Sequence, residues 1–136
     1  MTNATGGCLC GDVRFELASE PVFHFACHCT DCQRTNGGAP TLGVAVPQSA
    51  LTVTHGAPKD FSVAGDSGRE VRRSFCDTCG SPLFSWPEAM PGMVVIKVGA
   101  LDDPSLYKPQ IDMFMASARP WHAPHEGAAQ FDRSPS

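Results

Sequence analysis

No stretch of the 136-residue chain approaches the roughly 18 consecutive apolar residues that a membrane-spanning helix requires, and Met1 to Gly7 is polar and too short for a secretory leader. No membrane association is expected, and the reading is a cytoplasmic protein. Basic residues are scarce too. Ten Lys and Arg against fourteen Asp and Glu give a net charge of -4, and only Arg72 and Arg73 stand side by side. Without a basic stripe to neutralise phosphates, nucleic acid is not an expected partner. Charged residues make up only 18% and apolar ones 42%, which argues against disorder. There is no internal repeat and no low-complexity segment. Cysteine is missing from all but three short stretches, and its total of seven is odd, so disulfides would leave one thiol over. In a reducing compartment, metal binding or redox chemistry has to account for these thiols.

What is present points to a small, mainly β domain. The length is that of one domain, and 13 Gly with 12 Pro suit a turn-rich fold. Val13, Phe15 and Leu17 alternate with polar neighbours, as do Leu42, Val44 and Val46 with theirs, and both runs predict half-buried strands. Further strands are expected at Val22–Phe25, Leu51–Thr54, Phe61–Val63, Glu70–Phe75, Leu83–Trp86, Met93–Val98 and Ile111–Met115. Gly65-Asp66-Ser67-Gly68 predicts a hairpin turn, and Asp31–Asn36, stopped by Gly37-Gly38, the one short helix. Residues 1–122 should form the domain and 123–136 a flexible tail.

The cysteines fall into Cys8-x-Cys10, Cys27-x-Cys29-x-x-Cys32 and Cys76-x-x-Cys79. A structural zinc takes four tetrahedral ligands, and close pairs of thiols let one tight turn supply two corners. Seven thiols divide as four plus three. The two doublets, Cys8 and Cys10 with Cys76 and Cys79, make a closed site joining the first strand to a distant turn. The triplet Cys27, Cys29 and Cys32 makes a three-ligand site with one position left for substrate, the catalytic type. On a local strand, Cys27 and Cys29 would point to one side and His28 to the other. Buried inert thiols and a redox trio are the alternatives for the triplet; for Cys76-x-x-Cys79, a thioredoxin-like motif is disfavoured because β-like segments flank it on both sides. His122 and His125 sit among prolines and read as loop residues, while His28 suits a supporting role beside the open site.

With these motifs in place, the sequence resembles the glutathione-dependent formaldehyde-activating enzyme family, which includes the centromere protein V-like domains. The resemblance rests on Gly7-Cys8-Leu9-Cys10-Gly11-Asp12-Val13-Arg14-Phe15, on Cys27 to Cys32, and on Phe75-Cys76-Asp77-Thr78-Cys79-Gly80-Ser81-Pro82-Leu83. Leu101-Asp102-Asp103-Pro104 and Arg119-Pro120-Trp121 resemble its closing motifs. It implies an Mss4-like β-tent of short antiparallel sheets clamped by zinc. It also implies two zinc ions per chain, one structural on Cys8, Cys10, Cys76 and Cys79 and one catalytic on Cys27, Cys29 and Cys32. The implied activity is that of a carbon-sulfur lyase joining the thiol of glutathione to formaldehyde, with a small thiol and a small aldehyde as partners. A homo-oligomer is compatible with this reading.

Three thiolates around Zn²⁺ leave a net negative charge, so a soft thiol is a better fourth ligand than water, and coordination strips its proton at neutral pH. Glutathione carries carboxylates, for which arginine is the natural partner. Arg34, just after the triplet, is the first candidate, followed by Arg72, Arg73 and Arg119, and Asp31 and Gln33 are candidates for orienting the site. A non-catalytic zinc-stabilised binding domain and a thiol reductase are the competing functions.

Overall fold

A computed structural model of the chain describes residues 3–65 and 67–135. Strands β1 (Ala4–Gly7), β2 (Arg14–Leu17) and β5 (Leu51–His55) form a three-stranded antiparallel sheet in the order β1-β2-β5. Alternation explains β2, whose Phe15 and Leu17 are buried while Arg14 and Glu16 lie nearer the surface. The other eight strands form one sheet. They are β3 (Phe23–Cys27), β4 (Thr41–Pro47), β6 (Lys59–Ala64), β7 (Glu70–Phe75), β8 (Pro82–Pro87), β9 (Met93–Lys97), β10 (Ile111–Met113) and β11 (Ala129–Gln130). Their order is β11-β10-β3-β4-β9-β8-β7-β6. The mainly β architecture expected from sequence is what the chain adopts, and no helix is long and apolar enough to cross a membrane among the described residues.

The sheet is antiparallel from β3 through β6 and parallel at its other end, where Ile111 lies opposite Phe25 and Met113 opposite Cys27. Parallel pairing needs a crossover, and here the chain between β3 and β10 supplies it. Residues 123–135, read from sequence as a tail, supply β11, and Met115 and Phe114 donate backbone hydrogen bonds to the carbonyls of Phe131 and Arg133. The β6–β7 hairpin pairs Ala64 with Glu70, and of its expected turn, Asp66 lies outside the described residues.

The main core lies between the two sheets. Phe15 and Leu17 of β2 meet Val44 and Val46 of β4, Leu83 and Phe84 of β8, and Val94 and Ile96 of β9. Phe15 and Phe84 pack edge to face with ring centroids 5.1 Å apart, an arrangement that adds about 0.5–1.5 kcal/mol to the area term. A half-buried strand was expected at Leu42–Val46, but Gly43, Val44, Ala45 and Val46 are all buried. The reason is position. β4 sits between β3 and β9, and its second face is covered by a smaller cluster of Phe25, Cys27, Cys32 and Val95. A Cβ on Gly43 would stand 2.6 Å from Val95 Cγ1 and 2.8 Å from Phe25 Cζ. Gly43→Ala is therefore expected to lose about 1–3 kcal/mol in chemical denaturation, by forcing that cluster apart.

The sheets are also tied by Asp102, which accepts from Thr5 Oγ1 at 2.6 Å and, through both carboxylate oxygens, from the Arg14 guanidinium. The Arg14 hydrogen bond first, and Thr5 second, hold the Asp102 carboxyl down at about 2. A carboxyl depressed in the folded state stabilises above its unfolded value, near 3.8, and that contribution is lost as pH falls toward 2. Because the pair is solvent-screened, its contribution to stability is small. Asp102→Asn should be less stable than wild type at pH 6 and should flatten the pH dependence of unfolding between about 4 and 2.

Candidate metal centres

Two turns of the same kind build the first cluster. After β1, Cys8 N donates to Val13 O and Gly11 N to Cys8 O; between β7 and β8, Cys76 N donates to Ser81 O and Gly80 N to Cys76 O. Gly11 (φ +84) and Gly80 (φ +78) occupy the left-handed region that lets each loop double back. The turns bring the sulfurs of Cys8, Cys10, Cys76 and Cys79 together, all within 4.8 Å of one another. The Cys8–Cys10 separation is 3.6 Å and the Cys10–Cys76 separation 3.8 Å. Four sulfurs at about 2.3 Å from one ion would lie about 3.8 Å apart, so the donor set fits tetrahedral zinc. Val13 N donates to Cys8 Sγ at 3.2 Å, and the Ser81 hydroxyl lies 3.1 Å from Cys79 Sγ. That Ser81 contact, followed by backbone bonds, lowers the Cys79 thiol to about 5.

The second cluster forms where β3 gives way to α1 (Thr30–Thr35). The sulfurs of Cys27, Cys29 and Cys32 also lie within 4.8 Å of one another, and the Cys29–Cys32 separation is 3.0 Å. The local geometry differs from the strand expected through Cys29. β3 ends at Cys27, and Cys29 is the N-cap of α1, its sulfur accepting from Cys32 N at 3.3 Å. A strand-to-helix turn, rather than a shared strand face, delivers the third thiol. All seven cysteines are free. Within the triplet, hydrogen bonds from Cys27 and then Cys29 hold Cys32 down at about 2 against burial, whereas the bonds to Cys29 and Cys32, with burial, push Cys27 far up.

Three polar residues surround this triplet. His28 is buried, and its Nε2 lies 2.7 Å from Asp112 Oδ1 on the neighbouring β10. Asp112 is fully buried and also accepts from His125 N at 2.9 Å. Gln33 Nε2 donates to the carbonyls of His28 (2.7 Å) and Ser117 (2.9 Å), and its Oε1 accepts from Arg119 Nε at 3.0 Å. Of the two residues considered for orienting the site, Gln33 thus bonds the triplet loop directly, and Asp31 lies in the first turn of α1. Asp112 was not singled out from sequence, since only the β3–β10 register brings it beside His28. His122 stacks edge-on to His28 at 5.9 Å, and neither it nor His125 belongs to either cysteine cluster.

Lys97, the last residue of β9, was likewise not singled out. It is only 7% exposed, and its Nζ donates to Thr41 Oγ1 at 3.3 Å. Burial pushes its ammonium below the ordinary lysine range, an effect that the Cys32 charge opposes and Arg73 reinforces. Among the described residues, neither Lys97 nor Arg73 has an ion-pair partner, and Arg73 Nε is buried with no hydrogen bond. Arg34, the first sequence candidate for substrate contact, is exposed on the last turn of α1, and Arg72 is engaged by Asp60 at 2.9 Å and by the Trp86 ring. A cleft of about 590 Å³ is lined by Cys8, Leu9 and Arg14 together with Asn36, Leu42 and Lys97; it borders the four-cysteine cluster at Cys8, and none of the triplet cysteines lines it.

Residues 3–117 match the family model described as glutathione-dependent formaldehyde-activating enzyme. The chain belongs to that family. Relatives provisionally named glutathione-dependent formaldehyde-activating enzymes are found in Penicillium rubens (30% identical, covering 81% of this chain and 59% of the relative) and Phaeosphaeria nodorum (28%, covering 81% and 58%). A third, from Halomonas elongata, is 31% identical over 71% of this chain and 64% of its own length. The chain thus spans about three-fifths of the length of these family members. A crystal structure of a Rhodobacter sphaeroides protein superposes with a TM-score of 0.61 over 93% of this chain and 98% of that one, at 20% identity, which is a likeness of fold.

Among the described residues, Asp112 is the side-chain hydrogen-bond partner of the buried His28 ring. Asp112→Ala would leave the His28 ring nitrogen and His125 N–H without their acceptor, each costing about 1–3 kcal/mol. A loss of more than about 2 kcal/mol in denaturant unfolding is the expected outcome, and a near-neutral variant would show that the network is not structural.

Proposed function

We propose that this protein is a zinc-dependent carbon-sulfur lyase-type enzyme that acts on a thiol–aldehyde adduct, with glutathione and formaldehyde as the pair indicated by its family. The observation that carries the reading is the three-cysteine cluster, set apart from a complete four-cysteine cluster. Cys8, Cys10, Cys76 and Cys79 hold a structural zinc, whereas Cys27, Cys29 and Cys32 hold a catalytic one with a position free for substrate. When bound there, zinc supplies the means to keep a thiol deprotonated at neutral pH and to polarise a carbonyl.

The chain's own residues do the rest. His28, fixed by Asp112, and Gln33, clamping the His28 carbonyl, hold the turn that carries Cys27 and Cys29. Thr41, which accepts from Lys97, sets a hydroxyl beside the Cys32 thiol. Half-buried Cys29 is the most exposed member of the triplet, the side from which a thiol would approach.

A second reading has a specific observation in its favour. Cys29-x-x-Cys32 spans a strand-to-helix turn with its sulfurs 3.0 Å apart, the placement a dithiol redox pair uses. Metal analysis separates the two. Zinc-replete protein is expected to carry about two zinc ions per chain, with Cys32→Ser folded and carrying about one fewer, and Cys79→Ser strongly destabilised because closed-site affinity is folding free energy. Exchange between free and adducted glutathione, followed by NMR, should be faster with wild type than with Cys32→Ser at equal concentration and pH. One zinc per chain together with a reversible Cys29–Cys32 disulfide would favour the redox reading.

A further inference from the structure

Each of the two sheets has two outer strands, and proteins normally blunt such edges, because the unpaired N–H and C=O groups along them recruit other chains. Among the described residues, three of the four edges are blunted. β1 is bridged at Gly6 by Leu101, and Asp102 N donates to Thr5 O on the same strand. β5 is bulged, its register against β2 shifting between Arg14 and Phe15, and β11 is only two residues long. β6 has none of these devices. It ends the strand order of the large sheet, runs for six residues and is exposed at every one of them. No proline or glycine interrupts Lys59–Ala64, its charges are confined to Lys59 and Asp60, and Asp60 is paired with Arg72 at 2.9 Å. Phe61 is 63% exposed on this strand and Val63 37%.

The hydrogen bonding of the β6–β7 hairpin fixes which backbone groups of β6 face outward. Ala64 is paired with Glu70, so Gly65 stands opposite Arg69, and Gly65 N donates to Arg69 O at 2.7 Å. In an antiparallel pair, hydrogen-bonded positions alternate with non-hydrogen-bonded ones. Lys59, Phe61 and Val63 therefore share the sense of Gly65 and direct their backbone groups to β7, whereas Asp60, Ser62 and Ala64 turn N–H and C=O to the open side. A second copy of the strand, antiparallel and centred on Ser62, satisfies all of these outward groups at once. Ser62 then pairs with Ser62, and Asp60 with Ala64 in both directions. The same register sets Phe61 opposite Val63 twice, an aromatic–β-branched match worth about 0.2–1 kcal/mol each time. It sets no charged residue opposite another, since Lys59 meets Gly65. Centring on Phe61 instead would put Ala64 opposite Pro58, which has no N–H to give, and centring on Val63 would carry Asp60 past the end of the strand.

We propose that the open edge of β6 is a dimerisation surface, on which two copies of this chain pair β6 to β6 about a two-fold axis at Ser62 and join their large sheets into one. A second copy is the occupant that the strand's own pattern selects. A two-fold interface needs a surface that complements itself, and this edge does so in hydrogen-bond sense, in side-chain size and in charge. The area sets the strength. A strip about 20 Å long, six residues at about 3.4 Å each, buries less than the roughly 1,200 Å² of a stable interface, so the dimer is a weak one that dissociates in the micromolar range. The triplet stays open in such a dimer. β3, which ends at Cys27, is separated from β6 by β4, β9, β8 and β7, and each copy keeps its own cysteine clusters. The inference is therefore independent of the reaction proposed above.

The test uses zinc-loaded protein. Sedimentation velocity over micromolar to submillimolar concentrations should show monomer passing into dimer. Ser62→Pro removes an outward N–H that the single chain does not use, at an edge position where proline is tolerated, and should raise the dimer dissociation constant about tenfold or more. Phe61→Ser should do the same by deleting both aromatic matches, with zinc content unchanged in each variant. Residue-resolved amide exchange gives a readout that needs no variant. The N–H groups of Ser62 and Ala64 should become protected as concentration rises, whereas those of Phe61 and Val63, bonded to β7, should be protected in monomer and dimer alike. A wild type that stays monomeric at the highest concentration overturns the proposal, whether β6 is then left bare or takes a strand of another protein. A dimer in which the Ser62 and Ala64 amides exchange as fast as in the monomer overturns it too, because that dimer uses another surface.

Discussion

Burial of both faces of β4 and β9 is the constraint on which the rest of the molecule depends. Val44, Val46, Val94 and Ile96 fill the core between the sheets, while Gly43, Ala45, Val95 and Lys97 face the triplet. Because side chains alternate with period two, these sets are not independent. The register that buries Ile96 in the main core puts Lys97 beside Cys32, and a slip of one residue would drive the lysine into the apolar core. The large number of fully buried Val and Ile side chains on the core face makes such a slip prohibitive. The fold thereby forces a charged group into a place where it is costly on its own, and a site is the usual reason for a protein to keep such an arrangement.

The two cysteine clusters differ in how they are held, and that difference matches the tasks proposed for them. The four-cysteine cluster joins two loops near the surface, with Cys10 exposed and Leu9 standing 89% exposed beside it. Its turns are made by backbone hydrogen bonds and two left-handed glycines, and besides the sulfurs the Leu9 N–H, donating to Ser81 Oγ at 3.0 Å, links the loop after β1 to the β7–β8 turn. A metal there would act on the fold as a cross-link. The triplet sits on preformed structure: β3 is paired on both sides, α1 is capped by Cys29 itself, and Asp112 anchors His28 from β10. Phe114, in the left-handed region at φ 58, packs against the same cluster, a conformation that a bulky residue adopts only where its surroundings impose it.

Much of this was legible in the sequence, and the part that was not has a common cause. The strands announce themselves by alternation or β-rich composition, and β7 runs over the very residues, Glu70–Phe75, that composition marks. The helix came one residue early, at Thr30 rather than Asp31, because the cap is a cysteine sulfur and not an oxygen-bearing side chain. The division of the cysteines by spacing corresponds to the two groups whose sulfurs converge. What sequence could not offer is any pairing between positions that share no motif. Asp112 lies 84 residues from His28, and Lys97 lies 56 from Thr41. Both links follow from the crossover that sets β10 beside β3 and from the β4–β9 register, and neither leaves a local trace. Lys97 falls inside the strand expected at Met93–Val98, where a single lysine reads as an ordinary solvent-facing position.

Thr41 shows how closely the polar groups around the triplet are fitted to one another. A hydroxyl has one proton to give and two lone pairs to fill. Here both lone-pair roles are taken, by Asn36 Nδ2 at 2.9 Å and by Lys97 Nζ at 3.3 Å, which leaves the proton for the Cys32 thiolate, whose charge the Thr41 bond helps to stabilise. The direction of each bond is therefore set. Asn36 caps the end of the helix that begins at Cys29, Thr41 starts β4, and Lys97 ends β9. Three elements thus converge on one oxygen, and through it the charge of Lys97 is transmitted to Cys32. Replacing Thr41 by valine would keep the volume but break all three bonds at once, leaving a buried ammonium without its acceptor. The lysine is held in place by the same hydroxyl that favours the charged form of Cys32, so the fold positions the ammonium and the triplet together.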